Sequence, residues 1–229
     1  MKVKKNKMKK LLLLLLCVPL IVKSQEVLNS EGLTVINNLI YYEGELFNGV
    51  NIDGDGDNIK IYFQDGKPIR SIKLHWDTKR IIEESNFNDG VINGISKKYS
   101  KDGILESEVY YNDGILIFTN IYHEDGSRTE YLYESIKDSI IIGTKRTWYN
   151  NGQIESYGPI KDSPERHVFM YFYENGQISS RGYLKNNMPD GLISEWYPNG
   201  QLSVKVIFIN GQLTQIECWD ENGNETDCE

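Results

Sequence analysis

Residues 172–211 read FYENGQISSRGYLKNNMPDGLISEWYPNGQLSVKVIFING, and one phrase occurs in them twice, 24 residues apart. The phrase is an aromatic pair, a linker residue, Asn-Gly-Gln and an aliphatic. It runs from Phe172 and Tyr173 to Ile178, then from Trp196 and Tyr197 to Leu202. Asn-Gly and Asp-Gly pairs reach positive φ cheaply, so they are expected to close two-residue hairpins whose twist suits the flanking strands. The flank of the second copy alternates as a strand should: Leu202, Val204, Val206 and Phe208 point one way. No stretch after residue 25 carries a convincing helical period.

Looser copies extend the pattern in both directions. Glycines that follow Asn or Asp stand at Gly66, Gly103, Gly126, Gly152, Gly176, Gly200 and Gly223, with spacings of 37, 23, 26, 24, 24 and 23. Four residues before each is an aromatic: Tyr62, Tyr99, Tyr122, Trp148, Phe172, Trp196 and Trp219. The long first gap has room for a degraded unit around residues 75–81, HWDTKRI, with Lys79 at the glycine position. Between these anchors a second turn recurs, at Gly114, Gly191 and Gly211. Each unit is therefore two short strands and two turns. A unit this small cannot bury its apolar face alone, so neighbours must stack and share it. The sequence predicts an all-β fold, an elongated single-layer antiparallel sheet of stacked β-hairpin repeats. A β-sandwich is the alternative.

The phrases GTKRTWYNNGQIES, GLISEWYPNGQLSV and YYEGELFNGV resemble the bacterial MORN-variant repeat. The resemblance covers about residues 41–223. It implies hairpin units aligned as a long antiparallel sheet, and interaction or scaffolding rather than catalysis. Many proteins built from this repeat are labelled as the antitoxin of a toxin–antitoxin system. About seven to eight such units fill residues 41–229, after a lead-in at 25–40.

The N-terminus reads as an export signal. Six lysines among the first ten residues precede an apolar run, Leu11 to Val22, too short to span a bilayer. Val22 and Ser24 are the small residues of a cut before Gln25, which makes residues 1–24 a signal peptide and the product secreted or periplasmic. Lipidation at Cys17 is the alternative, although Leu15 and Leu16 stand where a lipobox needs small residues. Removing this segment takes away seven lysines and no acid, leaving 18 basic against 33 acidic residues and a formal charge of −15. Such a surface repels nucleic-acid phosphates and anionic membranes, so neither nucleic-acid binding nor stable membrane insertion is expected. After export, Cys218 and Cys228 are expected to form a disulfide.

Chemistry-bearing motifs are scarce. His75, His123 and His167 have no metal spacing, and no GxSxG, GxGxxG or P-loop pattern occurs. Asp53, Asp55 and Asp57 alternate as calcium ligands do, but the rest of a calcium loop is missing and the turn reading is favoured. The residues expected to bind are Tyr149, Tyr173 and Tyr197, which follow the anchor ring and should form an exposed row on the opposite face. The expected function is an exported, non-enzymatic module without cofactors that binds an unidentified protein through its sheet face. A carbohydrate- or surface-binding module and an antitoxin or immunity-type protein are the alternatives.

Overall fold

The computed structural model describes residues 25–28, 30–53, 58–137, 140–160 and 166–228. The signal segment with Cys17, and Asp55 and Asp57 of the acidic loop, lie outside the described residues. Among the described residues every regular element is a β-strand. Eight hairpins follow one another. Gly49–Asp53 pairs with Ile59–Gln64, Lys67–Leu74 with Ile81–Asn88, and Gly94–Tyr99 with Leu105–Asn112. Ile115–Tyr122 pairs with Arg128–Lys137, Ile140–Trp148 with Ile154–Pro159, and Arg166–Phe172 with Ile178–Lys185. Gly191–Trp196 pairs with Leu202–Ile209, and Gln212–Trp219 with Glu225–Thr226. Each hairpin pairs antiparallel with the next, so the chain forms one continuous open sheet rather than a sandwich.

The N-terminal end is built differently. Gln25–Leu28 adds to the first hairpin in parallel, with Gln25 opposite Gly49. Leu33–Ile36, Leu39–Tyr42 and Glu45–Leu46 form a separate three-stranded sheet. It is tied to the turn at Gly66, whose N–H donates to the Phe47 carbonyl at 2.9 Å and whose carbonyl accepts from Ile40 N–H at 2.9 Å. Phe47 is the one large side chain fully buried among the described residues, with rings of Tyr42 and Phe63 against it. Elsewhere a single layer has no second sheet to cover it, so the anchor rings are only half-buried.

Two kinds of turn separate onto the two long edges. On one edge both central residues have positive φ: Asp65 and Gly66 (50°, 72°), Asp89 and Gly90 (51°, 82°), Asp113 and Gly114 (46°, 80°), Asn210 and Gly211 (52°, 77°). These are two-residue turns of the type I′ kind. On the other edge only the glycine is left-handed. Gly152 N–H donates to the Tyr149 carbonyl at 3.0 Å, and Tyr149 N–H donates to the Gln153 carbonyl at 2.9 Å, which makes a three-residue loop ending in a glycine bulge. The repeated Asn-Gly thus does not close the two-residue turn expected for it. The asparagine side chain is the reason: Asn151 Oδ1 accepts Gln153 N–H at 2.8 Å, which stabilises the loop with Asn151 outside the left-handed region.

This geometry also corrects the register at the N-terminal end. Gly66 belongs to the type I′ edge, so Tyr62 is not a member of the anchor column. Lys79 takes the bulge position 24 residues before Gly103, with φ of 55° and a loop closed by His75 N–H donating to the Arg80 carbonyl. The column of rings begins at Tyr99. Its members face the residue two beyond the glycine: Trp148 opposite Ile154, Phe172 opposite Ile178, Trp196 opposite Leu202.

Candidate functional site

The tyrosine row does not stand out from the sheet. Strand alternation stops at the anchor ring, and the next residue opens the bulged turn, so its side chain is aimed along the sheet axis. The hydroxyl of Tyr149 donates to the Phe172 carbonyl at 2.8 Å, Tyr173 to Trp196 at 2.7 Å and Tyr197 to Trp219 at 2.9 Å. Each tyrosine is half-buried and reaches the anchor of the following unit. The row expected as an exposed contact surface is a set of inter-unit ties. Burial raises the pKa of Tyr149, and the Glu155 and Glu174 carboxylates add to the effect.

The rest of the phrase works the same way. The Nδ2 groups of Asn151, Asn175 and Asn199 donate to the carbonyls of Glu174, Pro198 and Glu221 at 3.2, 3.0 and 3.0 Å. Gly176, Gly200 and Gly223 lie so close to the side chains of Gln153, Gln177 and Gln201 that a Cβ there would approach them within about 3 Å. Tyrosine, asparagine and glutamine therefore seal this edge between Tyr149 and Gly223. Earlier units use other ties. Tyr99 donates to Glu84 at 2.9 Å and Tyr122 to Glu108 at 2.8 Å, while Arg70 also binds Glu84 at 2.9 Å. Arg128 stacks over Trp148 at 3.9 Å from the ring centre.

The type I′ edge carries exposed aliphatics among polar ties between neighbouring units, where Lys67 pairs with Asp89, Asn93 Nδ2 donates to Asp113 at 3.1 Å and Arg166 pairs with Asp190 at 2.7 Å. Ile69, Val91, Ile115, Met188 and Ile209 lie beside its turns and are 41–66% exposed. Two of them lie against the turn of the next unit: a Cβ on Gly114 would meet Val91 Cγ1 at 3.1 Å, and one on Gly211 would meet Met188 Sδ at 3.3 Å. At the N-terminal end this edge opens into a hollow of about 470 Å³ lined by Val50, Tyr62, Phe63 and Ile69. An aliphatic directly follows Asp-Gly at Val91 and Ile115, but also at Ile104 on the other edge, so the sequence alone does not single this edge out.

A second feature lies on the sheet face. Thr147, Ser156, Tyr171 and Ser180 are successive cross-strand partners and so share one face. Beside them Gly158 leaves a strand position without a side chain, and a groove of about 550 Å³ forms there. Phe169 and Tyr171 stand on one side, with ring centres 5.9 Å apart and planes tilted by 59°. Thr147 Oγ1 and Ser156 Oγ lie 2.6 Å apart on the other, with Lys145 and Glu155 also lining it.

The remaining candidates stay apart. His123 Nε2 is 3.0 Å from Thr129 Oγ1, and His75 faces the backbone of its own loop. Among the described residues no three His, Cys, Asp or Glu side chains converge as a metal site would require. Asp53 sits opposite Ile59 at the end of the first hairpin. Cys218 and Cys228 are joined by a disulfide beside Trp219, at the last hairpin.

Comparison with known families matches four of the eight hairpins. The model described as MORN repeat variant matches residues 92–113, 142–162, 168–186 and 189–210. Each match contains one bulged turn with all or most of the two strands it joins. No curated protein matches the chain. Four matched hairpins within one uninterrupted sheet make this chain a MORN-variant repeat protein.

Proposed function

We propose that the chain is an exported, non-enzymatic scaffold that binds another protein along its type I′ edge. The observation that carries this reading is the set of Ile69, Val91 and Ile115, each exposed and each within three residues of a type I′ turn in successive units. Exposed aliphatics that continue from unit to unit are what a protein interface uses, whereas scattered ones need no explanation. The set ends at the hollow beside Tyr62 and Phe63, a natural seat for an apolar side chain of the partner. The opposite edge lends contrast between Tyr149 and Gly223, where tyrosine, asparagine and glutamine fill the turns, whereas Trp76 and Ile104 are exposed at its earlier turns. Export is supported by the basic and leucine-rich first 24 residues.

The test is a triple variant, Ile69→Ser, Val91→Ser and Ile115→Ser, used as bait against the extracellular or periplasmic fraction. The expected result is loss of the captured partner with an unchanged β-type circular dichroism spectrum. Undiminished capture by the triple variant would refute the assignment.

A further inference from the structure

The groove at Gly158 uses none of the residues of the apolar edge, and its chemistry is different. We propose that it is a binding site for a short, neutral pyranose oligosaccharide. Among the described residues, Tyr171 and Trp76 are the aromatic rings that stand among the exposed large side chains, and Tyr171 is 50% exposed. Tyr171 is also the one of the two on a sheet strand, and its tilt against Phe169 holds it beside the groove. An exposed, immobilised ring offers a face to the C–H groups of a sugar.

The other walls supply what hydroxyl groups need. Thr147 and Ser156 at 2.6 Å share one O–H between them, which leaves the second O–H and both oxygens' remaining lone pairs for a ligand. Lys145 donates and Glu155 accepts, and their charges offset, which favours a neutral ligand over an ionic one. An extended peptide is disfavoured here. The strand beneath, Ile154–Pro159, is paired with Ile140–Trp148 on one side and, through Ser156 and Tyr157, with Tyr171 and Met170 on the other, so the groove lies between sheet strands and not at an outer edge of the sheet open to β-addition. About 550 Å³ is the size of a small-molecule site, enough for one or two sugar rings.

Gly158 provides a direct way to close it. Its φ is not left-handed, and a Cβ there would meet Phe169 Cβ at 3.5 Å, an ordinary contact. Gly158→Val therefore fills the groove without backbone strain, and Tyr171→Ala removes the exposed ring without opening a core. The experiment is saturation-transfer NMR on the mature chain with trisaccharides of glucose, N-acetylglucosamine, xylose and mannose at millimolar concentration. At least one should receive saturation, concentrated on one ring face, and both variants should weaken it at least tenfold. The triple serine variant of the apolar edge should leave it intact, which separates this site from the protein-binding reading. No transfer to any of the four sugars, or transfer unchanged in both variants, overturns the proposal.

Discussion

Replacing Tyr149, Tyr173 and Tyr197 together by phenylalanine separates a structural row from a recognition row. The substitution keeps all three rings and removes only the hydroxyls that donate to Phe172, Trp196 and Trp219 at 2.7–2.9 Å. A typical intramolecular hydrogen bond contributes about 1 kcal/mol net. The carbonyls involved are half-buried, so water can replace part of each bond and the loss stays near that figure. The three bonds lie at different unit interfaces, 24 residues apart, and separated sites add. The total is about 3 kcal/mol, or a fall in Tm of roughly 6–12 °C for a chain of this size. Urea titration followed by circular dichroism measures it, with single variants each giving about a third. Each variant should leave partner capture by the folded protein unchanged. A triple variant within about 0.5 kcal/mol of the parent, or one that stays as stable but loses its partner, would refute the reasoning.

Other outcomes follow from the same structure. Gly152→Ala, at φ of 83° with open space around it, should cost about 1 kcal/mol from backbone strain alone, whereas Gly158→Ala should be close to neutral; thermal melts compare them. Reducing the Cys218–Cys228 bridge should remove at most about 3 kcal/mol. Its effect should be confined to amide exchange in the last hairpin, where the bridge lies. Alkaline pH should destabilise the N-terminal units. Burial and the Glu84 and Glu108 carboxylates raise the pKa of Tyr99 and Tyr122, so their stabilisation is complete below about pH 10 and is lost as pH rises through the raised values. Tyr99→Phe with Tyr122→Phe should flatten that limb. Acid should act on Glu84. Burial pushes its carboxyl up, but the hydrogen bonds from Arg70 and Tyr99 outweigh this and lower it, so its contribution holds above the ordinary value of 4.5 and fades below it.

Much of this fold was legible because its signal is local. Asn-Gly and Asp-Gly mark turns wherever they stand, and a 24-residue recurrence of an aromatic, Asn, Gly and Gln fixes the hairpins from Trp148 onward. The two turn types were not legible, since Asp65-Gly66 and Asn151-Gly152 look alike until the Asn151 side chain is seen bonding to its own loop. Tyr62 was misplaced for that reason. The direction of Tyr173 failed for a related one: two-residue alternation holds only within a strand, and Tyr173 is the first residue beyond it. Partners in adjacent units, such as Tyr197 with Trp219, depend on the stacking distance between hairpins, which spacing in one dimension does not encode. The apolar edge was hidden because single aliphatics beside turns carry no periodic strand pattern. Only the stacking of units, as where Val91 lies against Gly114, sets them on one edge.

The division of labour between the two edges is the central claim, and site-specific photo-crosslinking tests it most directly. A photoreactive benzoyl-phenylalanine is introduced at Ile115 on the apolar edge or at Glu174 on the sealed edge, both exposed side chains. After irradiation in the producing cells, the account predicts a discrete crosslinked protein from position 115 and none from position 174. A crosslink from 174 with none from 115 would contradict it.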